Sequence, residues 1–262
     1  MSKIISKFSI LLLIVTAVSA QAAKIPAYYN APYSTAKTVK SKLGKAGFKV
    51  LTTYSPAEKA NLKVIVFTNK VLKTLASKKK RGFAAIQRVM VDSSSKTVRV
   101  TNPTYWLKAF MQKDYKAGID TKIKSNLTKA LGKLTATKDV LKEGDLAGYH
   151  FMMAMPYYED MLELKKGATV DSKKKLFEVK LSNGSKLVGV KMPKNSENFI
   201  NKIGVENAIL LPYTVLIENG KVYALHAKYY LALSYPLLSM GQFITISSIP
   251  DTIEKKLKKA LK

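Results

Sequence analysis

Apolar positions along the chain follow two spacings, and these predict a mixture of helices and strands. Between Ser34 and Gly47 they recur every three or four residues, as at Val39 and Leu43, which is the spacing of an amphipathic helix. Short apolar runs such as Leu62–Phe67 predict strands instead. The chain therefore belongs to a mixed class, and the order of its elements decides the architecture.

Asn-Gly dipeptides mark two hairpins in the second half of the chain. Asn183-Gly184 and Asn219-Gly220 each separate two strand-like runs, and both residue types tolerate the positive φ angles of a type I′ turn. The chain ends in an amphipathic segment whose Asp251 and Glu254 have the spacing of a capping box. We expect a C-terminal helix there.

An internal repeat relates the two halves. Val98–Phe110 lies over Val222–Ser234 without a gap, so that Val98 meets Val222 at an offset of 124 residues. Repeats of this kind indicate duplicated structural units. We predict two tandem copies of a β-α-ββ-α-ββ-α unit, each an α+β two-layer sandwich with an antiparallel sheet and helices on one face.

The repeat and the N-terminal composition divide the chain into four segments. Residues 1–22 have a basic start, an apolar run and small residues, which is typical of a cleaved signal peptide. The copies are predicted at 23–136 and 149–262, with a linker at 137–148. A cleaved signal indicates export, and we expect a periplasmic location.

The second copy is predicted to open with a buried strand at 149–155, rich in methionine, followed by a helix. The acids Glu159, Asp160 and Glu163 suit the first turn of that helix, because acidic side chains interact favourably with its dipole. The Pro-Tyr pair at Pro156 marks the change from strand to helix.

Charge and cysteine content limit the classes of function. The formal net charge is +28, yet Arg81, Arg88 and Arg99 are the only arginines. Lysine lacks the planar fork that reads phosphates and bases, and an exported protein rarely meets nucleic acid, so we do not predict nucleic-acid binding. Weak contact with an anionic membrane surface is an alternative role for the lysines. The absence of cysteine excludes disulfides and thiolate metal sites.

Several segments resemble a known bacterial family. These segments are "LGKAGFKV" from Leu43, "VIVFTNKVLKTL" from Val64, "RVMVDSSSKTVRVTNPTYW" from Arg88 and "LLPYTVLIENGKVYALHAKYYLA" from Leu210. Their pattern is similar to the family catalogued as domain of unknown function 302. The resemblance implies an α+β fold in each copy but no activity, and the tandem arrangement suggests that the copies pack as an intramolecular pseudo-dimer.

Candidate chemistry is sparse, and the sequence favours a binding protein over an enzyme without deciding between them. Gly-x-Ser-x-Gly, glycine-rich cofactor loops and spaced zinc ligands are all missing from the sequence. No cofactor is predicted, although copper remains an alternative, because thioethers and imidazole suit Cu(I). Its candidate ligands are His150, Met152, Met153, Met155 and His226, with Met161 as a further contributor. Core packing is the favoured explanation of the methionines, because methionine fills irregular cores and packs well on aromatic rings.

Paired tyrosines form the second candidate site. Amphipathic rings line ligand pockets and interfaces, and the pairs Tyr157-Tyr158 and Tyr229-Tyr230 stand near the two ends of the second copy. We therefore expect an exported, non-enzymatic protein that binds a small ligand or a periplasmic protein. The alternatives are Cu(I) binding through the methionine segment and a peripheral role at the envelope surface.

Overall fold

The computed structural model describes residues 23–262 as a mixed α+β fold with antiparallel sheets. The predicted signal peptide lies outside the described residues. The strands are β1 (Lys24–Pro26), β2 (Tyr28–Ala31), β3 (Lys49–Tyr54), β4 (Leu62–Thr68), β5 (Gln87–Asp92), β6 (Thr97–Thr101), β7 (Thr135–Ala136), β8 (Val140–Lys142), β9 (Leu162–Lys166), β10 (Lys175–Lys180), β11 (Lys186–Val190), β12 (Thr214–Glu218) and β13 (Lys221–Ala224). The helices are α1 (Ala36–Lys45), α2 (Lys70–Ala76), α3 (Pro103–Met111), α4 (Thr121–Leu131), α5 (Ile200–Ile203), α6 (Ala227–Ser234), α7 (Met240–Thr245) and α8 (Ile249–Lys259).

Two antiparallel sheets organise these elements. The first has the order β3-β4-β5-β6-β2-β7 and the second the order β10-β11-β12-β13-β9, while β1 pairs with β8. Each sheet contains two hairpins that are consecutive in the chain. The strand that comes before both hairpins in the chain pairs with the last strand of the second hairpin, so β2 lies beside β6 and β9 lies beside β13. The first five positions of the two sheets therefore have the same order.

No helix within residues 23–262 has the length and apolar character that crossing a bilayer requires.

Helices α3 and α6 are buried on nearly all sides, and they join the two halves. The Tyr105 hydroxyl of α3 donates to the carbonyl of Leu233 at 2.6 Å, and the Tyr229 hydroxyl of α6 donates to that of Ala109 at 3.4 Å. Between them the Trp106 ring meets the Tyr230 ring edge-on, with centroids 6.2 Å apart. One continuous hydrophobic core passes through both halves.

One 3₁₀ turn from each half packs against the sheet of the other half. The turn at Gly82–Ala85 packs on β11 and β12, whereas the turn at Val205–Leu210 packs on β5 and β6. Gly82 lies so close to Leu216 that an added Cβ would overlap the leucine side chain. A larger residue at this position would have to displace the buried Leu216 side chain of the opposite sheet.

The start of the second half corrects two predictions. The predicted strand at 149–155 is a loop, in which the Met153 side chain is 88% exposed and Ala154 adopts a left-handed φ of 67°. The predicted helix start is also wrong: after Pro156 the chain makes a turn closed by the Tyr157 amide and the Asp160 carboxylate, and then forms strand β9. Apolar and polar residues alternate at the start of β9, as in a strand with one buried face. No helix lies between β9 and β10.

Both predicted hairpins are present, but only one of them has the predicted type I′ turn. Asn219 and Gly220 have φ angles of 50° and 70° and join β12 to β13 directly, as a type I′ turn requires. At the other hairpin only Gly184 has a positive φ, because Leu181 bonds to Ser185 and the turn holds three residues. The predicted type I′ turn at Asn183-Gly184 is therefore wrong, although the hairpin itself is present.

The helix ends also differ from the predictions. Helix α8 begins at Ile249, before Asp251, and has no capping box. A capping box occurs instead at α7, where Ser239 and Gln242 bond to each other's backbone amides. Helix α1 is capped by Thr35, whose side chain accepts from the Thr38 amide, and its buried face holds Val39 and Leu43 as predicted.

Substitution of Trp106 by alanine tests the importance of the α3–α6 contact. Trp106 is 4% exposed, so its loss should lower the free energy of unfolding by about 3–5 kcal/mol. Urea denaturation followed by circular dichroism measures the change. Ile244→Ala is the control, because this side chain is 63% exposed and should cost less than about 0.5 kcal/mol. Equal costs would contradict a central role for Trp106.

Candidate ligand-binding cleft

A basic segment follows helix α2 directly. The helix is capped by Asn69, whose side chain accepts from the Leu72 amide at 2.8 Å, and it ends at Ala76. The chain continues as Ser77, then three lysines and Arg81, with Lys80 in the left-handed region at a φ of 58°. A left-handed lysine is uncommon, and such a conformation persists where surrounding contacts hold it.

Residues of the second half hold Lys80 by its backbone. Its amide donates to both carboxylate oxygens of Glu218, at 3.0 and 3.2 Å, and its carbonyl accepts from the Tyr158 hydroxyl at 2.6 Å. Glu218 also accepts from the Asn183 amide group at 3.3 Å. These contacts fix the turn, so the lysine side chains project from a rigid base.

Arg81 anchors the basic segment through its buried side chain. It is 5% exposed; its Nε donates to Asp114 at 2.9 Å and its Nη1 donates to Glu159 at 2.8 Å. Its guanidinium also lies 5.3 Å from the centre of the Tyr158 ring. Partial burial raises the pKa of Asp114, but hydrogen bonds from Arg81 and Lys78 outweigh that effect and lower it overall. Arg81 thus bonds to both acids, Asp114 and Glu159.

The basic segment forms one wall of an open cleft of about 960 Å³. Five basic and two acidic side chains line it, and Arg81 engages both acids. Among residues 23–262, Lys79, Lys80 and Lys113 have no carboxylate within ion-pair distance. The cleft therefore has an excess of positive charge on flexible side chains, which attracts anions. Its lining consists of Lys78, Lys79, Lys80, Arg81, Gln112, Lys113, Asp114, Ala147, Gly148 and Glu159.

The methionine-rich loop begins at the rim of this cleft. The Gly148 amide donates to the Gln112 side chain at 3.1 Å, which ties the start of the loop to the cleft. The His150 ring lies 4.5 Å from that of Tyr157, and its Nδ1 is 2.9 Å from the Met152 carbonyl. Its Nδ1 is thus engaged within the loop itself.

The other candidate metal ligands lie in different settings. Met152 and Met153 are 44% and 88% exposed, Met155 is half-buried, and His226 caps α6 by accepting from the Lys228 amide at 3.2 Å. Burial lowers the pKa of His226, with Lys228 adding to the effect. No group of three or more His, Asp or Glu side chains within the described residues could hold a metal. Copper binding through the methionines stays a prediction.

Three of the four candidate tyrosines are buried. The Tyr229 and Tyr230 hydroxyls donate to the carbonyls of Ala109 and Leu210, inside the contact between the halves. Tyr157 is exposed beside His150. Tyr158 alone among the four contacts a residue of the cleft, since its ring faces Arg81. A role of these tyrosines in ligand binding stays a prediction.

Sequence reasoning missed the basic segment. The run of three lysines and an arginine after α2 is visible in the sequence, but a charge run alone indicates only a solvated surface. The informative signal was the arginine, because a rare Arg in a lysine-rich chain suggests a position that needs its planar fork.

A second unusual group lies away from the cleft. The Glu197 carboxylate is 1% exposed, and it accepts from the Tyr54 hydroxyl at 2.6 Å and the Ala57 amide at 2.7 Å. Burial raises the pKa of Glu197 to about 7, although both hydrogen bonds act in the opposite direction. Ala57 and Glu58 both have left-handed φ angles, 48° and 60°, so the carboxylate stabilises a strained turn of the other half.

No family model, curated protein or solved structure matches this chain.

The raised pKa of Glu197 predicts a pH-dependent stability. Between about pH 4.5 and pH 7 the folded protein keeps a proton that the unfolded chain has released, so the free energy of unfolding should fall as pH rises through this interval. The total fall should be no more than about 3 kcal/mol. Urea denaturation at several pH values measures it.

Glu197→Gln is the matched variant for this prediction. Glutamine keeps the shape of the side chain but cannot ionise. The free energy of unfolding of the variant minus that of the wild type should therefore increase as pH rises towards 7 and then stay constant. Titration of His226 contributes equally to both proteins and cancels. A difference that does not vary with pH would contradict the raised pKa.

Proposed function

We propose that this chain is an exported, non-enzymatic binding protein, and that its ligand is a small anion with two or more negative charges. The observation that carries this proposal is the basic cleft, in which Lys79, Lys80 and Lys113 lack acidic partners among the described residues. Phosphorylated or polycarboxylate molecules have the complementary charge.

The chemistry of the cleft favours recognition by charge more than by shape. Lysine ammonium groups are mobile point charges, whereas the fork of Arg81 is already occupied by Asp114 and Glu159. Such a site binds anions of several shapes and depends strongly on ionic strength.

We also infer that the two halves derive from a duplication and pack as an intramolecular pseudo-dimer. Two-fold contacts are reciprocal, so residue i of one copy contacts residue j of the other, and the converse also holds. The bonds from Tyr105 to Leu233 and from Tyr229 to Ala109 are such a pair at the offset of 124 residues. The strand order that the two sheets share supports the same inference.

Residues near the axis of a pseudo-dimer should meet their own equivalents. Trp106 and Tyr230 are equivalent at this offset and have ring contact, and Arg88 donates to the carbonyl of its equivalent, Pro212. The second copy differs from the first in lacking a helix before its first hairpin. The resemblance to the family of unknown function, the periplasmic location, and the copper and envelope-surface alternatives remain predictions from the sequence.

Pyrophosphate and citrate are suitable probes of the cleft. Isothermal titration calorimetry at low ionic strength should detect binding of both, and the affinity should fall as sodium chloride is added. Lys79→Gln combined with Lys113→Gln should weaken binding at least tenfold, about 1.4 kcal/mol.

The matched control removes two lysines elsewhere. Lys37 and Lys40 are exposed on α1, outside the cleft, so Lys37→Gln with Lys40→Gln changes the net charge equally. This control should keep the wild-type affinity to within about twofold. An equal loss in both double variants would show that net charge, and not the cleft, binds the probes, and would contradict the proposal.

The pseudo-dimer predicts that the chain without residues 1–22 is monomeric. The surface that would form a homodimer is already occupied within one chain by the α3–α6 contact. Size-exclusion chromatography with light scattering should give the mass of a single chain at micromolar concentration. A compact dimer would contradict the proposal.

A further inference from the structure

A small cavity lies between the two halves, apart from the basic cleft. Phe83, Arg88 and Phe110 line it from the first half, and Tyr213, Thr214, Leu225 and Tyr230 line it from the second. It has room for one water molecule or one small monatomic ion. Its walls are largely aromatic and aliphatic, and two polar atoms of its lining residues, Arg88 Nε and the Tyr213 hydroxyl oxygen, have no hydrogen-bond partner among residues 23–262.

Arg88 contributes a buried positive charge to this cavity. The residue is 5% exposed, its Nη2 donates to the Pro212 carbonyl at 3.2 Å, and its Nε has no hydrogen-bond partner among the described residues. The other two arginines are also buried, but Arg81 pairs with two carboxylates and Arg99 pairs with Asp139 at 2.8 Å. Within residues 23–262 Arg88 has no such ion pair.

Tyr213 contributes a hydrogen-bond donor. Its side chain is 3% exposed, and its hydroxyl has no partner within the part of the chain that the structure describes. Burial raises the pKa of Tyr213 well above its ordinary value, so the hydroxyl keeps its proton. Two donors, one of them charged, therefore line the same cavity, without an acceptor to receive either.

We propose that this cavity binds one small monovalent anion, of the size of chloride or bromide, between Arg88 Nε and the Tyr213 hydroxyl. Burying a guanidinium without a counter-charge is costly, and an anion removes that cost while accepting both hydrogen bonds. A water molecule would accept the bonds but would leave the charge unbalanced. Phosphate and pyrophosphate are too large for the space, which separates this site from the cleft.

Bromide is the probe for this site. Thermal unfolding is measured in sodium bromide and in sodium gluconate, whose anion is too large for the cavity, at equal ionic strength. Once bromide exceeds its dissociation constant, the unfolding midpoint should rise by about 3 °C for each tenfold increase in bromide. Bromide also permits anomalous diffraction, which should show a peak within hydrogen-bond distance of Arg88 and Tyr213.

Two variants and two controls make the test specific. Arg88→Met keeps an elongated side chain without the charge, so it should fold and lose the bromide dependence; Tyr213→Phe should reduce it. Tyr235→Phe, at a buried tyrosine outside the cavity whose hydroxyl bonds to Asn207, should keep the dependence, as should the double variant Lys79→Gln with Lys113→Gln. The same bromide dependence in Arg88→Met and wild type, or a water molecule without an anomalous peak in the cavity, would overturn the proposal.

Discussion

The fold depends on the burial of α3 against α6. Each helix is apolar on nearly every side, so neither can be covered by its own sheet alone, and each fills the space that the other half leaves open. The hydroxyls of Tyr105 and Tyr229 would be costly in an apolar core, but each donates to a carbonyl of the opposite helix. The halves are consequently parts of one core, and the reciprocal 3₁₀ turns extend the same contact to both sheets.

Arginine and lysine have separate places in this protein. All three arginines are buried, and each connects segments distant in the chain, whereas the lysines of the cleft remain in contact with solvent. The planar guanidinium can donate in several directions at once and keeps its charge in a buried setting, which an ammonium group does less readily. The high net charge of the sequence thus describes the surface, while the few arginines mark the interior.

Local patterns in the sequence predicted the mixed class, the hairpins and the buried face of α1. They failed at 149–163, because an apolar run with Met and Tyr fits a buried strand as well as an exposed loop, and because the acids of a helix start also suit a turn. The cleft was beyond prediction: it depends on Glu218 and Tyr158 reaching Lys80 from far along the chain. Glu197 was missed for the same reason, since its partners Tyr54 and Ala57 belong to the other half.

The contact between Arg88 and Pro212 has an evolutionary consequence under the proposed duplication. Two identical chains arranged in this way would each bring an arginine to the same buried point, and the two guanidiniums would repel each other at short range. Joining the copies in one polypeptide lets the second position become a proline, whose carbonyl accepts from the arginine that remains. Covalent fusion thus permits a single charge on an axis where two identical copies of the first half would have to place two, and this repulsion would disfavour a dimer built from the first half alone.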